Sequence, residues 1–397
     1  MAIDPKEFVE ALRAQGLDFF AGVPDSLLKN LCACIFANTP SERNIIAANE
    51  GNAIGMACGY HVATGRAGVV YMQNSGEGNA VNPLLSIADP DVYGIPMLLI
   101  IGWRGEPGVH DEPQHVKQGK VTLSLLETMD VPCEVLDAGC WQEQLAWLLK
   151  VMREESRPVA AVVRKGLFAG YPFTAEENGE PLSREEALEV ILGCLGKDDL
   201  VVSTTGKTSR EVFEIRERWG QGHANDFLTV GGMGHTSSIA FGMAVGTDAN
   251  VWCIDGDGSF IMHMGAFPVM AQKWPANLKY IVNVNGAHES VGGQPTVGEL
   301  IDVCGILRAS GFDEVLEART PEEIREGMAV LRTAAKAALV LRTHQGSRAD
   351  LGRPTTTPQE NKRAMMAKIA ALNVVTAPEG AEAGDDAAAT GMEAKAQ

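Results

Sequence analysis

The sequence predicts two α/β domains, each a doubly wound parallel sheet, and three observations predict it. At 397 residues the chain exceeds what one ordinary core serves and suits two domains of about 150 to 180 residues. Short β-branched or apolar runs alternate with helix-like stretches, as a parallel sheet covered by helices on both faces requires. The alternation breaks once, at the polar segment Pro172 to Glu185.

In the first half (1–170) the strand-like runs are Phe19 to Ala21, Asn44 to Ile46, Ala67 to Tyr71, Met97 to Ile101, Cys133 to Leu136 and Val159 to Val163. A linker (171–187) follows, where Tyr171-Pro172-Phe173 gives way to Glu176-Glu177-Asn178-Gly179-Glu180-Pro181. The second half (188–372) holds Leu200 to Ser203, Asp226 to Val230, Val251 to Ile254, Tyr280 to Val282 within the apolar run Leu278 to Val284, Val315-Leu316 and Leu339 to Leu341. The rest (373–397) reads as a disordered acidic, Ala-rich tail: Glu379, Glu382, Asp385, Asp386 and Glu393 interrupt Ala, Gly and Thr with almost no bulky apolar residue.

Composition excludes several functions. The longest apolar runs, such as Pro96 to Trp103, fall well short of the roughly 18 to 20 residues of a membrane helix. The N-terminus carries neither a basic region nor an apolar core for export, so a cytoplasmic location is expected. A net charge of −18 argues against a nucleic-acid partner. Eight cysteines without C-x-x-C pairs read as reduced thiols, mostly buried, with zinc disfavoured.

Chemistry concentrates at Asp255-Gly256-Asp257-Gly258-Ser259, which closes one strand, and at Asn285, 28 residues after Asp257 at the end of the next. A lone Gly-Asp-Gly is commonly just a tight turn. Two strand ends meeting change that reading, because open α/β sheets bind ligands at their carboxyl ends. Asp257 offers a carboxylate and Asn285 an amide oxygen, while Gly256 and Gly258 let the backbone approach a bulky anion. The fitting ligand is a divalent cation carrying a diphosphate. An EF-hand is set aside, since the twelfth position from Asp255 is Ala266 and not Glu. Gly258 and Ser259 are expected to start a helix through Met264 and Met270 whose N–H groups face phosphate.

Gly256-Asp257-Gly258 with Asn285 resembles the signature of the thiamine-diphosphate-dependent decarboxylase and acetolactate-synthase superfamily. The resemblance implies Asp257, Asn285 and the carbonyl of Ala287 as Mg²⁺ ligands, with Asn283 as the alternative to Asn285 because the chain reads Asn283-Val284-Asn285. A thiamine enzyme needs a carboxylate against the cofactor's aminopyrimidine, and Glu50, at the head of a small-residue helix, is the candidate; for an isolated Glu a dipole contact would be the plainer reading. In Gly231-Gly232-Met233-Gly234-His235, Met233 is implied as the wedge that bends the cofactor and Gly231 as the acceptor for its amino group. Gly206 is expected to approach the diphosphate. The halves then read as a pyrimidine-binding domain followed by a diphosphate-binding domain, without the superfamily's middle domain. The resemblance implies a homodimer or higher homo-oligomer, with the active site at the subunit interface.

The resemblance narrows along Gly22-Val23-Pro24-Asp25-Ser26-Leu27-Leu28-Lys29, Gly102-Trp103-Arg104-Gly105-Glu106-Pro107-Gly108, Asp111-Glu112-Pro113-Gln114-His115, Gly286 to Thr296 and Asp350 to Pro358. These resemble the phosphonopyruvate decarboxylase family over roughly residues 5 to 370. The implied substrate is a small 2-oxo acid bearing a phosphonate, and the implied reaction is 3-phosphonopyruvate to phosphonoacetaldehyde and CO2, in phosphonate biosynthesis. Asp25 and His115 are the implied proton-handling residues; their plainer readings are a helix cap and a surface loop residue. Arg104, Lys117, Lys120, His288, Ser290, Arg348 and Arg353 are candidates for holding the anion. Glu77 stands where an apolar residue is expected, and facing the substrate it would repel an anion. The rival readings are sulfopyruvate decarboxylation and a non-catalytic thiamine-diphosphate-binding module.

Overall fold

A computed structural model describes residues 2–174 and 177–376. All twelve predicted strands form: β1 to β6 (Phe20–Gly22, Asn44–Ile46, Gly68–Gln73, Met97–Gly102, Cys133–Val135, Pro158–Val163) and β7 to β12 (Leu200–Ser203, Asp226–Leu228, Val251–Gly256, Leu278–Val284, Glu314–Ala318, Ala337–Arg342). They make two six-stranded sheets, ordered β2-β1-β3-β4-β6-β5 and β8-β7-β9-β10-β12-β11, with every named pair parallel. Counted from its own first strand, each sheet has the same order.

The central strands are buried and mainly apolar because both faces are covered. In β4, Leu98 and Ile100 join one core while Met97, Leu99 and Ile101 join the core on the opposite face. In β9, Val251 and Cys253 divide from Trp252 and Ile254 in the same way. Each half thus closes two cores of its own. In both sheets the chain leaves its first strand in one direction and returns on the other side, opening a crevice at the carboxyl ends of β1 and β3 and of β7 and β9.

Several boundaries differ from expectation. A capping box at Ser183 and Glu186 starts the Arg184–Gly193 helix inside the expected linker. The strand expected over Asp226 to Val230 stops at Leu228. The helix expected to run from Gly258 through Met270 is two short ones, Asp257–Met262 and Ala266–Ala271, parted at His263 to Gly265. The last helix, Pro358–Thr376, continues past 372, and the expected tail from Ala377 on lies outside the described residues. No described helix is long and apolar enough to cross a membrane.

Candidate active site

The carboxyl ends of the two sheets face one another across a cleft of about 510 Å³. It is lined from the first half by Glu50, Arg104 and His115, and from the second by Gly206, Gly231, Met233, Gly256, Asp257, Gly258, Ser259, Asn283, Asn285, Ala287, His288, Ser290 and Arg353. One chain supplies both sides: Asn49 Nδ2 of the first half donates to the Met262 carbonyl of the second at 3.2 Å. Within this chain Glu50 and Asp257 line one cleft.

Glu50 opens the Glu50–Thr64 helix, whose N-cap Asn49 accepts from the Asn52 N–H. Its carboxylate is buried, and Oε2 accepts from Asn79 Nδ2 at 2.7 Å. Gly76 is packed so closely that a Cβ there would lie 2.1 Å from Glu50 Oε1. The carboxylate is held from two sides by neighbours that leave its cleft face free.

Asp257 is buried, with Oδ2 accepting from Thr296 Oγ1 at 2.6 Å and from the Gly286 N–H at 3.0 Å, and Oδ1 from the Gly258 N–H at 2.7 Å. Burial outweighs these bonds and lifts its pKa to about 6. A carboxylate so enclosed, without a basic partner, fits a bound cation. Among the described residues no three His, Cys, Asp or Glu side chains group around a metal. That donor set suits a hard ion that takes one carboxylate, amide and carbonyl oxygens and phosphate. Asn283 Oδ1 accepts from Thr343 Oγ1 at 3.0 Å, and Asn285, just beyond β10, accepts through Oδ1 from the Ala287 N–H at 3.3 Å; both residues line the cleft.

Around the expected cofactor path, Gly206 takes φ +102°, a conformation that favours glycine, and a Cβ there would meet Ser290 Oγ. A Cβ on Gly258 would touch both His288 and Met233 Cε at 3.1 Å, so the wedge residue and the phosphate turn are in contact range. Ser259 Oγ accepts from the Gly234 N–H at 3.1 Å and so ties the Met233 loop to that turn. Burial lowers the His288 pKa to about 4, leaving a neutral imidazole. Gln114, against Gly231, leaves its buried Oε1 without a hydrogen-bond partner among the described residues.

Asp25 is fully buried behind the cleft wall, whereas its neighbours Pro24 and Ser26 line it. Its Oδ2 accepts from the Leu27 N–H at 2.9 Å, so it caps a turn, and the helix begins only at Lys29. Burial raises its pKa to about 6, against lowering by that bond and by Arg104. His115 is buried on the first turn of the Pro113–Thr128 helix, and burial followed by Arg104 lowers its pKa. Arg104 pairs with Asp111 and donates from Nη1 to Ser26 Oγ at 2.7 Å.

Three expected anion ligands are not brought to the cleft. Lys117 and Lys120 point to solvent on the outer side of their helix. Arg348 is held outside the cleft by Glu185, Glu214 and Asp350. Glu77 also turns away: it is buried near Cys133, with Oε1 unpartnered among the described residues, and burial lifts its pKa to about 8. Sequence reasoning missed Asn79, Thr296, Lys207 and the buried network in which Arg184 bonds Glu211 at 2.7 Å and Glu289 at 2.8 Å. Those pairs are 27 and 105 residues apart, and no local pattern announces them.

Glu77 has a consequence for stability. Its folded pKa of about 8 exceeds the ordinary 4.5, so between these values the native state keeps a proton that the unfolded chain releases. Stability then falls as pH rises, by about 1.4 kcal/mol per unit, until Glu77 ionises. Glu77→Gln removes this dependence, and its melting temperature gains on the parent most at pH 8 and above. Equal pH profiles of melting for both proteins would contradict it.

Two family models match the halves: the thiamine pyrophosphate enzyme N-terminal TPP-binding domain over residues 6–125 and the C-terminal TPP-binding domain over 205–341. The phosphonopyruvate decarboxylase of Streptomyces viridochromogenes is 32% identical over 386 residues, spanning 92% of this chain and 95% of that one. The enzyme of the same name from Streptomyces hygroscopicus is 32% identical over 383 residues, 91% of this chain and 92% of its own. The sulfopyruvate decarboxylase of Methanosarcina acetivorans is 28% identical over 352 residues, 82% and 87% of the two chains. With two such domains meeting at one cleft, the chain is a thiamine-diphosphate-dependent carboxy-lyase and belongs to the phosphonopyruvate decarboxylase family.

Proposed function

We propose that this enzyme decarboxylates 3-phosphonopyruvate to phosphonoacetaldehyde and CO2, in the cytoplasm, for the biosynthesis of carbon–phosphorus compounds. The observation that carries the reading is the likeness to a phosphonopyruvate decarboxylase over nearly its whole length. When bound, thiamine diphosphate supplies the electron sink that loss of CO2 requires. Asp257, Asn285 and the Ala287 carbonyl would hold Mg²⁺. Gly206, Gly256, Gly258 and Ser259 would hold the diphosphate, Met233 and Gly231 would orient the pyrimidine, and Glu50 would supply the proton it needs. His115, which lines the cleft, exchanges the proton that replaces CO2 on the product carbon, with Asp25 behind the wall linked to the cleft through Ser26 Oγ, 3.4 Å from its Oδ1. Arg104 and Arg353, with Ser290, place the phosphonate.

A homodimer or larger homo-oligomer is part of the proposal. It is supported by the apolar side chains left exposed on neighbouring helices, including Met56, Val62 and Leu85 in the first half and Val245 and Val269 in the second.

A sulfonate-bearing 2-oxo acid is the second reading, favoured by the Methanosarcina relative. CO2 release from phosphonopyruvate, sulfopyruvate and pyruvate measured side by side decides between them. The expected result is the highest kcat/KM on phosphonopyruvate and the lowest on pyruvate; a preference for sulfopyruvate overturns the assignment.

A further inference from the structure

Five Lys or Arg side chains line the cleft: Arg104, Arg184, Lys207, Arg210 and Arg353. Four of them face a carboxylate. Arg104 pairs with Asp111, Arg353 with Glu112, Arg184 with Glu211 and Glu289, and Lys207 lies 3.7 Å from Glu289. Arg210 is the exception, with no carboxylate at ion-pair distance among the described residues. It is nevertheless half-buried, and burial alone lowers its pKa.

A partly desolvated guanidinium with no counter-charge is unfavourable unless something anionic covers it. Its position says what. Arg210 stands in the first turns of the Lys207–Arg218 helix, whose N-cap is Gly206 and whose first N–H groups receive no side-chain cap. This end of the cleft also holds Ser290, which Gly206 approaches, and the phosphate turn at Gly258 is part of the same cavity. The other carboxylates of this region are already engaged: Glu211 and Glu289 by Arg184, and Glu214 by Arg348.

We infer that Arg210 is a ligand of the cofactor's terminal phosphate, acting with the uncapped N–H groups of its helix. A guanidinium offers several donors to phosphate oxygens, so each contact is charge-assisted. The inference depends on thiamine diphosphate occupying the cleft and not on which 2-oxo acid is decarboxylated.

The test uses the full-length protein freed of cofactor, with Arg210→Met and Arg210→Lys. Tryptophan fluorescence or calorimetry gives Kd for thiamine diphosphate with Mg²⁺ and for thiamine, which lacks phosphate. Arg210→Met is expected to weaken thiamine diphosphate by about 10- to 100-fold, the loss of a hydrogen bond to a charged group. Arg210→Lys recovers part of that loss, and thiamine binding is unchanged. The melting temperature of the cofactor-free protein does not fall, because a half-buried charge without an acidic partner has been removed. An unchanged Kd overturns the inference. So does an unchanged Kd with a raised substrate KM at saturating cofactor, which would assign the anion to the substrate. Equal weakening of thiamine and thiamine diphosphate, with a lowered melting temperature, would make Arg210 structural.

Discussion

Glu50→Ala loses decarboxylation while retaining most of its affinity for thiamine diphosphate and Mg²⁺. Both residues line the cleft, and on the proposed reading the diphosphate and metal would be held in the second half, around Asp257, while Glu50 would meet the pyrimidine end from the first half. Proton transfer by a positioned side chain contributes about 10²- to 10⁴-fold, and turnover is expected to fall by at least that much. Glu50→Gln keeps the shape and the contact with Asn79 Nδ2 within reach but cannot exchange the proton, so it loses as much. Steady-state CO2 release, paired with a cofactor titration of each variant, reads both quantities. Full activity in either variant would remove Glu50 from the chemistry and restore the non-catalytic reading of the module.

Asp257→Ala has the opposite signature: cofactor and metal binding collapse together. Removing one partner from a buried charge pair costs about 2 to 5 kcal/mol, or roughly 30- to several-thousand-fold in Kd. The parent protein adds a pH dependence. Asp257 in the cofactor-free state holds its proton up to about pH 6, so below that value Mg²⁺ must displace it. Metal-dependent cofactor affinity falls about tenfold per pH unit below that point and levels off above it. Stability without cofactor runs the other way. A folded pKa above the ordinary 3.8 means that stability is lost as pH rises from there to about 6. Calorimetric titration from pH 5 to 8 checks the affinity; a flat profile would separate Asp257 from the metal.

The strands and the residues at their carboxyl ends were legible because both signals are local. A strand buried on both faces is an apolar run, and the turn after it needs glycine where backbone approaches phosphate. Glu50, Asp257 and Met233 follow such runs directly, and all three line the cleft. Charge partners were not legible. Arg348 sits in a motif-rich segment, yet its guanidinium goes to Glu185 and Glu214, which are more than a hundred residues away in the chain. Lys117 and Lys120 flank His115 in sequence, but the helix that buries His115 turns both lysines to solvent. Glu77 adjoins cleft-lining Gly76 and Gly78, and the helical rotation of one residue carries it to the protein interior. The break at His263 depends on tertiary contacts: Gly234 packs against His263 and Met262, and His263 stacks on His235 at 4.6 Å.

Among the described residues the cleft keeps two enclosed carboxylates, Glu50 and Asp257, without a basic partner, and one guanidinium, Arg210, without an acidic one. On the proposed reading these liabilities would be relieved when thiamine diphosphate and metal bind together. A ligand that binds the folded state at a hundred times its Kd adds about 2.7 kcal/mol of stability, enough to change how often the chain opens to proteases. The supply of thiamine would then set how long each enzyme molecule lasts as well as how fast it works.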